Sequence, residues 1–278
     1  MSFCAEHISY KIKKKAILQD CSLVVSPGRF TAVAGPNGAG KTSLLRIMSH
    51  EITKHSGNVL LNGMNVTDMR HKELSEQRAV LPQHTTVNFP FTIEQIVEIG
   101  RYPHRTTRTE NEKIIDEVML CTNVYHLKGR LYQSLSGGEQ QRVQMARVMA
   151  QIWDEREQAR FLLLDEPTSS LDLAQQHSLL ELIRDLCRRN IGVLSIIHDL
   201  NLAAQYADEV IFLKEGKTTA YGSVSNVMTK EIIEETFGHP VNVRYDERTD
   251  RPVIYPLPRI AENRSTKQTK NYAYELDY

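Results

Sequence analysis

The spacing of apolar positions changes several times along the chain, and each change marks a different kind of element. Short β-type runs occur at Ile8–Tyr10, at Cys21–Val25 with alternating character, and at Phe30–Ala34, a pentamer of the kind buried in a sheet. Gly35 ends the third run abruptly. From Lys41 the spacing turns helical, with Leu44, Leu45, Ile47 and Met48 on one face for about two turns. Val59–Leu61 followed by Asn62-Gly63 reads as a strand and a turn, so antiparallel strands surround one strand–loop–helix unit. Between residue 84 and about 150, Ile93, Ile96, Val97 and Ile99, then Ile114, Ile115, Val118 and Met119, recur at three and four, which predicts a helical insert. The order then returns to strand at Phe161–Leu164, helix from Leu173 to about Arg189, strand at Ile191–Ile197 and helix through Leu200–Tyr206. Val210–Leu213 before Glu215-Gly216-Lys217 is one more strand and turn. This alternation predicts an α/β fold with parallel strands and helical crossovers. Beyond Ile260 the chain is polar apart from its tyrosines and has no period, so it is predicted to be poorly ordered.

Length and charge narrow the class. A chain of 278 residues buries roughly 70–75% of its unfolded surface, so a substantial core is expected. The 34 basic and 34 acidic side chains cancel, which argues against a nucleic-acid coat or a polybasic membrane arm. Apolar runs such as Phe161–Leu164 fall far short of the ~18–20 residues of a membrane-spanning helix. The start of the chain shows no apolar segment followed by a small-residue cleavage site, so a cytoplasmic location is expected. Cys4, Cys21, Cys121 and Cys187 are widely separated without a CxxC pair, which suits reduced thiols rather than a disulfide framework or a zinc site.

Three segments carry chemistry. Gly35-Pro36-Asn37-Gly38-Ala39-Gly40-Lys41-Thr42, continuing into Ser43, fits the pattern GxxxxGK[ST] between a predicted strand and a predicted helix. Glycines let backbone N–H groups curl around phosphate oxygens and the helix points its positive end at them. Lys41 neutralises the β and γ oxygens, and the Thr42 hydroxyl reaches Mg²⁺. Phe161–Leu164 runs into Asp165-Glu166-Pro167, placing two acids where a buried strand emerges. Asp165 is the candidate Mg²⁺ residue, and Glu166, freed by the strand's end at Pro167, the candidate to polarise an attacking water. Taken alone, the two are equally well read as solvated carboxylates. Leu135-Ser136-Gly137-Gly138-Glu139-Gln140 opens a helix, with Ser136 and Glu139 spaced as a capping box. Its Gly-lined N-terminus is a second anion site, for which a chain with one phosphate loop has no obvious use.

These segments, with Thr168-Ser169-Ser170-Leu171-Asp172, Gln83 and His198 in the same order and spacing, resemble the ATP-binding subunits of ATP-binding-cassette (ABC) transporters over about residues 3–245. The resemblance implies a P-loop NTPase with a RecA-like parallel-sheet core, an N-terminal antiparallel β-subdomain and a helical subdomain insert. Residues 1–245 would form the nucleotide-binding domain, with 84–150 inserted, and 246–278 a C-terminal extension. It implies ATP and Mg²⁺ as cofactors and a head-to-tail dimer of two copies, in which Ser136, Gly137, Gly138 and Glu139 of one copy close over ATP held by the phosphate loop of the other. It further assigns Gln83 to Mg²⁺ and water, His198 to a γ-phosphate contact and Tyr10 to adenine stacking. Asp172 it places in communication across the dimer, beside a plain role as a helix N-cap.

The resemblance also implies a separate transmembrane permease, a substrate-binding protein engaged only indirectly, and a peripheral position on the cytoplasmic face of the inner membrane. Val87–Ile93 and Gly100-Arg101-Tyr102-Pro103-His104 resemble the iron-chelate, heme and vitamin B12 importer branch. The long stretch Met149–Arg160 and the endings Phe237–Val241 and Arg251–Pro256 are similar to hemin importer ATPases. The ten histidines are scattered and no CxxCH occurs, so direct heme ligation is not expected. Ferric-siderophore or cobalamin import is the alternative within the class. An ABC-type ATPase acting on nucleic acid or ribosomes is the alternative outside it, disfavoured by the single cassette and zero net charge.

Overall fold

The computed structural model describes residues 1–83, 85–155 and 157–258. Its centre is a six-stranded sheet formed by β3 (Phe30–Ala34), β6 (Arg78–Leu81), β7 (Arg160–Leu164), β8 (Ile191–Ile196), β9 (Glu209–Lys214) and β10 (Lys217–Ser223). The spatial order is β10-β9-β3-β8-β7-β6. All neighbours are parallel except β10, which pairs antiparallel with β9 at the edge. Every residue of β3, β7 and β8 is buried, as strands covered on both faces require.

Alternation along these strands feeds two separate cores. Phe30, Ala32, Leu162, Leu164 and Val193 face one core, whereas Val33, Phe161, Leu163, Leu194 and Ile196 face the other. The second core is closed by α1 (Lys41–Met48), by Leu74 of α2 (His71–Gln77) and by an antiparallel sheet of β1 (Phe3–Ile12), β2 (Lys15–Val25), β4 (Ser56–Leu61) and β5 (Met64–Asn65), in the order β2-β1-β4-β5. Lys13 and Lys14 form the exposed turn between β1 and β2. The α/β architecture with an antiparallel β-subdomain expected from the sequence is thus the one observed.

The first core extends into α3 (Ile93–Glu98), α4 (Arg108–Cys121) and α5 (Gly137–Gln151), and is backed by α6 (Leu173–Arg188) and α7 (Leu200–Tyr206). Each α-helix of the 93–151 segment starts with a capping box, on Thr92, Thr107 and Ser136. Residues 85–92 are not helical; Pro90 interrupts them, and Thr92 bridges to Leu131. The chain ends its described part with α8 (Val224–Val227), α9 (Lys230–Phe237) and a hairpin of β11 (Val241–Asp246) and β12 (Arg251–Pro256). Asn201 of α7 holds that hairpin by two bonds to Ile254, at 2.7 and 3.1 Å. The boundary anticipated at residue 245 therefore falls inside β11, and the disorder anticipated after about residue 260 lies outside the described residues. All four cysteines are unpaired thiols, with Cys121 exposed, Cys4 half-buried and the other two buried. No helix among the described residues is long and apolar enough to cross a membrane.

Candidate active site

The site lies beyond the carboxyl ends of four adjacent strands, β3, β8, β7 and β6, where open α/β sheets place their ligands. β3 ends at Gly35, whose φ of 145° and close approach to β9 admit no side chain: a Cβ there would lie 2.0 Å from the Leu213 carbonyl oxygen. The chain then loops to Gly40, the cap residue of α1, which has a φ of 103° and offers no side-chain cap. Position 40 backs onto Ile17 and Leu18 of β2. The leading N–H groups of α1 are thus left without side-chain acceptors, and its first turn holds no acidic residue, the arrangement that suits an anion. Pro36, Asn37, Gly38 and Ala39 form the arch of the loop, with Ala39 N–H returning to the Pro36 carbonyl at 3.2 Å. Ser43 follows in the first turn of α1.

Lys41 is buried and folds back over the loop, donating to the carbonyls of Gly35 at 2.8 Å and Pro36 at 3.0 Å. Burial lowers its pKa, opposed by the nearby charges of Glu166 and Asp165. Thr42 Oγ1 lies 3.4 Å from Asp165 Oδ1. Burial, helped by the charge on Glu166, raises the Asp165 pKa above the usual carboxylate range, against the opposing influence of Arg46 and the Thr42 bond. A buried carboxylate beside a hydroxyl is a hard-oxygen donor set that fits Mg²⁺, which takes one or two protein oxygens and fills the rest of its shell with phosphate and water.

Glu166 has a left-handed backbone, φ 53°, which swings its side chain out of the strand's alternation. Its two carboxylate oxygens are held from opposite sides. Gln83, two residues past β6, donates Nε2–H to Oε2 at 2.6 Å. His198, two residues past β8, brings Nε2 to 2.5 Å from Oε1. The three residues put forward for catalysis therefore converge from three neighbouring strand ends.

Ser136 caps α5, accepting from Glu139 N–H, while its own N–H and hydroxyl donate to the Glu139 carboxylate at 2.7 and 2.8 Å. Those bonds hold the Glu139 carboxyl below its usual range. Ser136 and Gly137 are exposed, and the side-chain bonds of Ser136 and Glu139 run between the two rather than to residues 35–43. Gly137 does share a cavity of about 340 Å³ with Gln83, Asp165 and Glu166. Tyr10 is half-buried on β1, in register with Leu18, the residue against which Gly40 packs. Asp172 caps α6 through Gln175 N–H at 2.9 Å. One contributor went unread in the sequence: Gln141 donates to the Pro167 carbonyl and accepts from the Ser170 hydroxyl at 2.8 Å, tying α5 to the segment after Glu166. Its only signal is its place one helical turn beyond the Gly137-Gly138 pair.

Comparison with known proteins agrees with this geometry. The family model for ABC transporters matches residues 18–169. The hemin import ATP-binding protein HmuV of Methylobacillus flagellatus is 42% identical over 237 residues, 84% of this chain and 88% of its own. Its counterpart from Gloeobacter violaceus is 44% identical over 256 residues, 91% and 93% of the two chains. Among solved structures, a chain of an inward-facing ABC transporter superimposes with a TM-score of 0.75 at 25% identity, covering 92% of this chain and 97% of its own. A dimeric bacterial ABC transporter cassette gives 0.69 at 23% identity, covering 80% and 98%. With its phosphate loop, its strand-end carboxylates and these relatives, the chain belongs to the ABC transporter family, as an ATP-binding, ATP-hydrolysing subunit.

Proposed function

We propose that this subunit powers the import of hemin through a separate membrane permease, working as a head-to-tail pair of identical copies on the cytoplasmic face of the inner membrane. The observation that carries the hydrolytic part is the Glu166 carboxylate, gripped between Gln83 and His198 at the strand ends beside the phosphate loop. In that position Glu166 accepts a proton from water as it attacks the γ-phosphorus in line, and Gln83 and His198 fix the carboxylate's direction. Lys41 exchanges its two loop carbonyls for phosphate oxygens, and the α1 N-terminus and loop N–H groups bind the rest of the triphosphate. Thr42 and Asp165, with Gln83 nearby, would hold Mg²⁺, which when bound neutralises charge on the β and γ oxygens. Tyr10, on the strand flanking the loop, is placed to cover the base.

The second anion site finds its use in the pairing. Ser136 and Gly137, exposed at the tip of α5, and the half-buried Gly138 close over the triphosphate of the other copy, where they stabilise charge that spreads in the transition state. A dimeric cassette among the related folds supports this reading. Residues 1–245 carry the nucleotide machinery, and the extension from 246 onward begins within the β11–β12 hairpin, whose Ile254 is bonded to Asn201 of α7. Closing and opening of the pair would be transmitted to the permease, with a substrate-binding protein acting on the far side. Relatives above 40% identity that are named for hemin import favour hemin as cargo over a ferric siderophore or cobalamin. The test is reconstitution of the subunit with its permease in liposomes, delivering hemin, a ferric chelate or cobalamin by the corresponding binding protein. Stimulation of ATP hydrolysis by hemin alone is the expected result; stimulation only by one of the other two would replace the cargo.

A further inference from the structure

The carboxyl end of α5 is unusually well held. An α-helix leaves its last carbonyls without partners, and here three side chains take them up. Arg101 donates to the Ala150 carbonyl at 2.6 Å, His104 Nε2–H to the Gln151 carbonyl at 2.7 Å, and Arg160 to the Ile152 carbonyl at 2.9 Å. Two of these come from one turn of chain, residues 99–104, which lies so close to α5 that a Cβ at Gly100 would sit 2.2 Å from the Arg147 carbonyl oxygen.

Asp154, three residues past α5, closes the arrangement. Its carboxylate takes both terminal nitrogens of Arg101, at 2.7 and 3.1 Å, and lies 3.4 Å from His104 Nδ1. The Arg101 and His104 side chains are 2% and 1% exposed. Asn111 of α4 supports Arg101 Nε at 2.9 Å. Beside it Trp153 donates to Glu117 of α4 at 2.7 Å and stacks 3.7 Å from the Arg189 guanidinium at the end of α6. A carboxylate near a helix's negative end is unfavourable unless a cation intervenes, and the Arg101 guanidinium stands between, bonded to both.

We propose that Asp154 is a positioning residue for the exposed tip of α5: by clamping Arg101 and His104 against the helix's last carbonyls, it sets the direction in which Ser136 and Gly138 meet the other copy's nucleotide. The proposal rests on the paired-copy reading above. The helix has 15 residues, so it is about 22 Å long and a tilt of about 5° at its base carries the tip about 2 Å. Such a shift exceeds what a hydrogen bond to a phosphate oxygen tolerates. Gln141, bonded to Pro167 and Ser170 near the tip, carries the same tilt to the segment after Glu166.

The test uses the full chain in a Glu166→Gln background, where ATP binds without turnover. Monomer affinity for Mg-ATP and Mg-ATP-driven dimerisation are measured for the parent, for Asp154→Asn, and for the milder Asn111→Ala should the first fold poorly. The expected result is unchanged nucleotide affinity in the monomer with dimerisation weakened about tenfold, a split that general loss of stability does not produce. Dimers as tight as the parent's in both variants would overturn the inference, as would equal losses in both measurements. A parent that stays monomeric with Mg-ATP would instead remove the paired-copy reading itself, and this inference with it.

Discussion

The strand-end region and the α5 tip are both anion sites in form, yet they are built in opposite ways. At the strand ends, Gln83, Lys41, the Asp165–Glu166 pair and His198 arrive from four separate elements and are already joined to one another or to the loop within one chain. At the tip, Ser136 and Glu139 satisfy only each other, in the open. The first is organised by the sheet, whose parallel register fixes where each strand ends. The second is organised by one helix, and its direction is set at the opposite end. A group assembled by many strands loses its chemistry when one member goes, whereas a helix tip loses aim or contact while its own structure persists.

The largest effect that separates the two regions is expected from Glu166→Gln. Removing the proton acceptor should lower hydrolysis by about 10²- to 10⁴-fold while Mg-ATP still binds, as read by phosphate release alongside equilibrium nucleotide binding. Turnover near the parent's would take Glu166 out of its role. A smaller loss is expected at the tip: Ser136→Ala should reduce hydrolysis about tenfold without changing monomer nucleotide affinity, and should cost the helix about 1 kcal/mol as its cap is removed. If the variant shows the stability loss but full turnover, Ser136 is a cap and nothing more.

The smallest effect reverses the usual sign. Asp165 has its pKa raised by burial and by Glu166, so between the ordinary and the raised value the folded chain binds more proton than the unfolded one. Stability therefore rises as pH falls through that window and is lower at neutral pH, where the carboxylate is charged. Asp165→Asn should raise the melting temperature of the nucleotide-free protein at neutral pH by about 2 °C, with the gain shrinking as pH is lowered. Calorimetry across pH checks this, and a variant that melts several degrees lower at neutral pH would contradict it.

How much of this was legible in the sequence follows from how each part is built. Strands β3, β7 and β8 were readable because burial on both faces writes a nearly continuous apolar run, and the phosphate loop because its glycines serve geometry rather than packing. β10, Lys-Thr-Thr-Ala-Tyr-Gly-Ser, was not, since an edge strand with half-exposed residues carries little pattern. β6 is only four residues long and takes its register from β7. The helical pattern was clear from Ile93 onward, but nothing local marked 85–92 as extended beyond Pro90. In the site, Glu166 could be put forward from its place after a buried strand that stops at Pro167, whereas Gln83 and His198 could be put forward only by resemblance. Their meeting at one carboxylate depends on strand order, which no spacing along the chain encodes. The Asp154 clamp depends on contacts across some fifty residues of sequence and left no local trace.

Because Cys121 alone of the four thiols is exposed, and sits one helical turn past the Glu117 that meets the chain's single tryptophan, the unaltered protein carries its own optical ruler. A maleimide dye would settle on the end of α4, within energy-transfer range of a lone indole donor, so rearrangements of the 93–151 segment become visible in a cuvette without engineering a single codon.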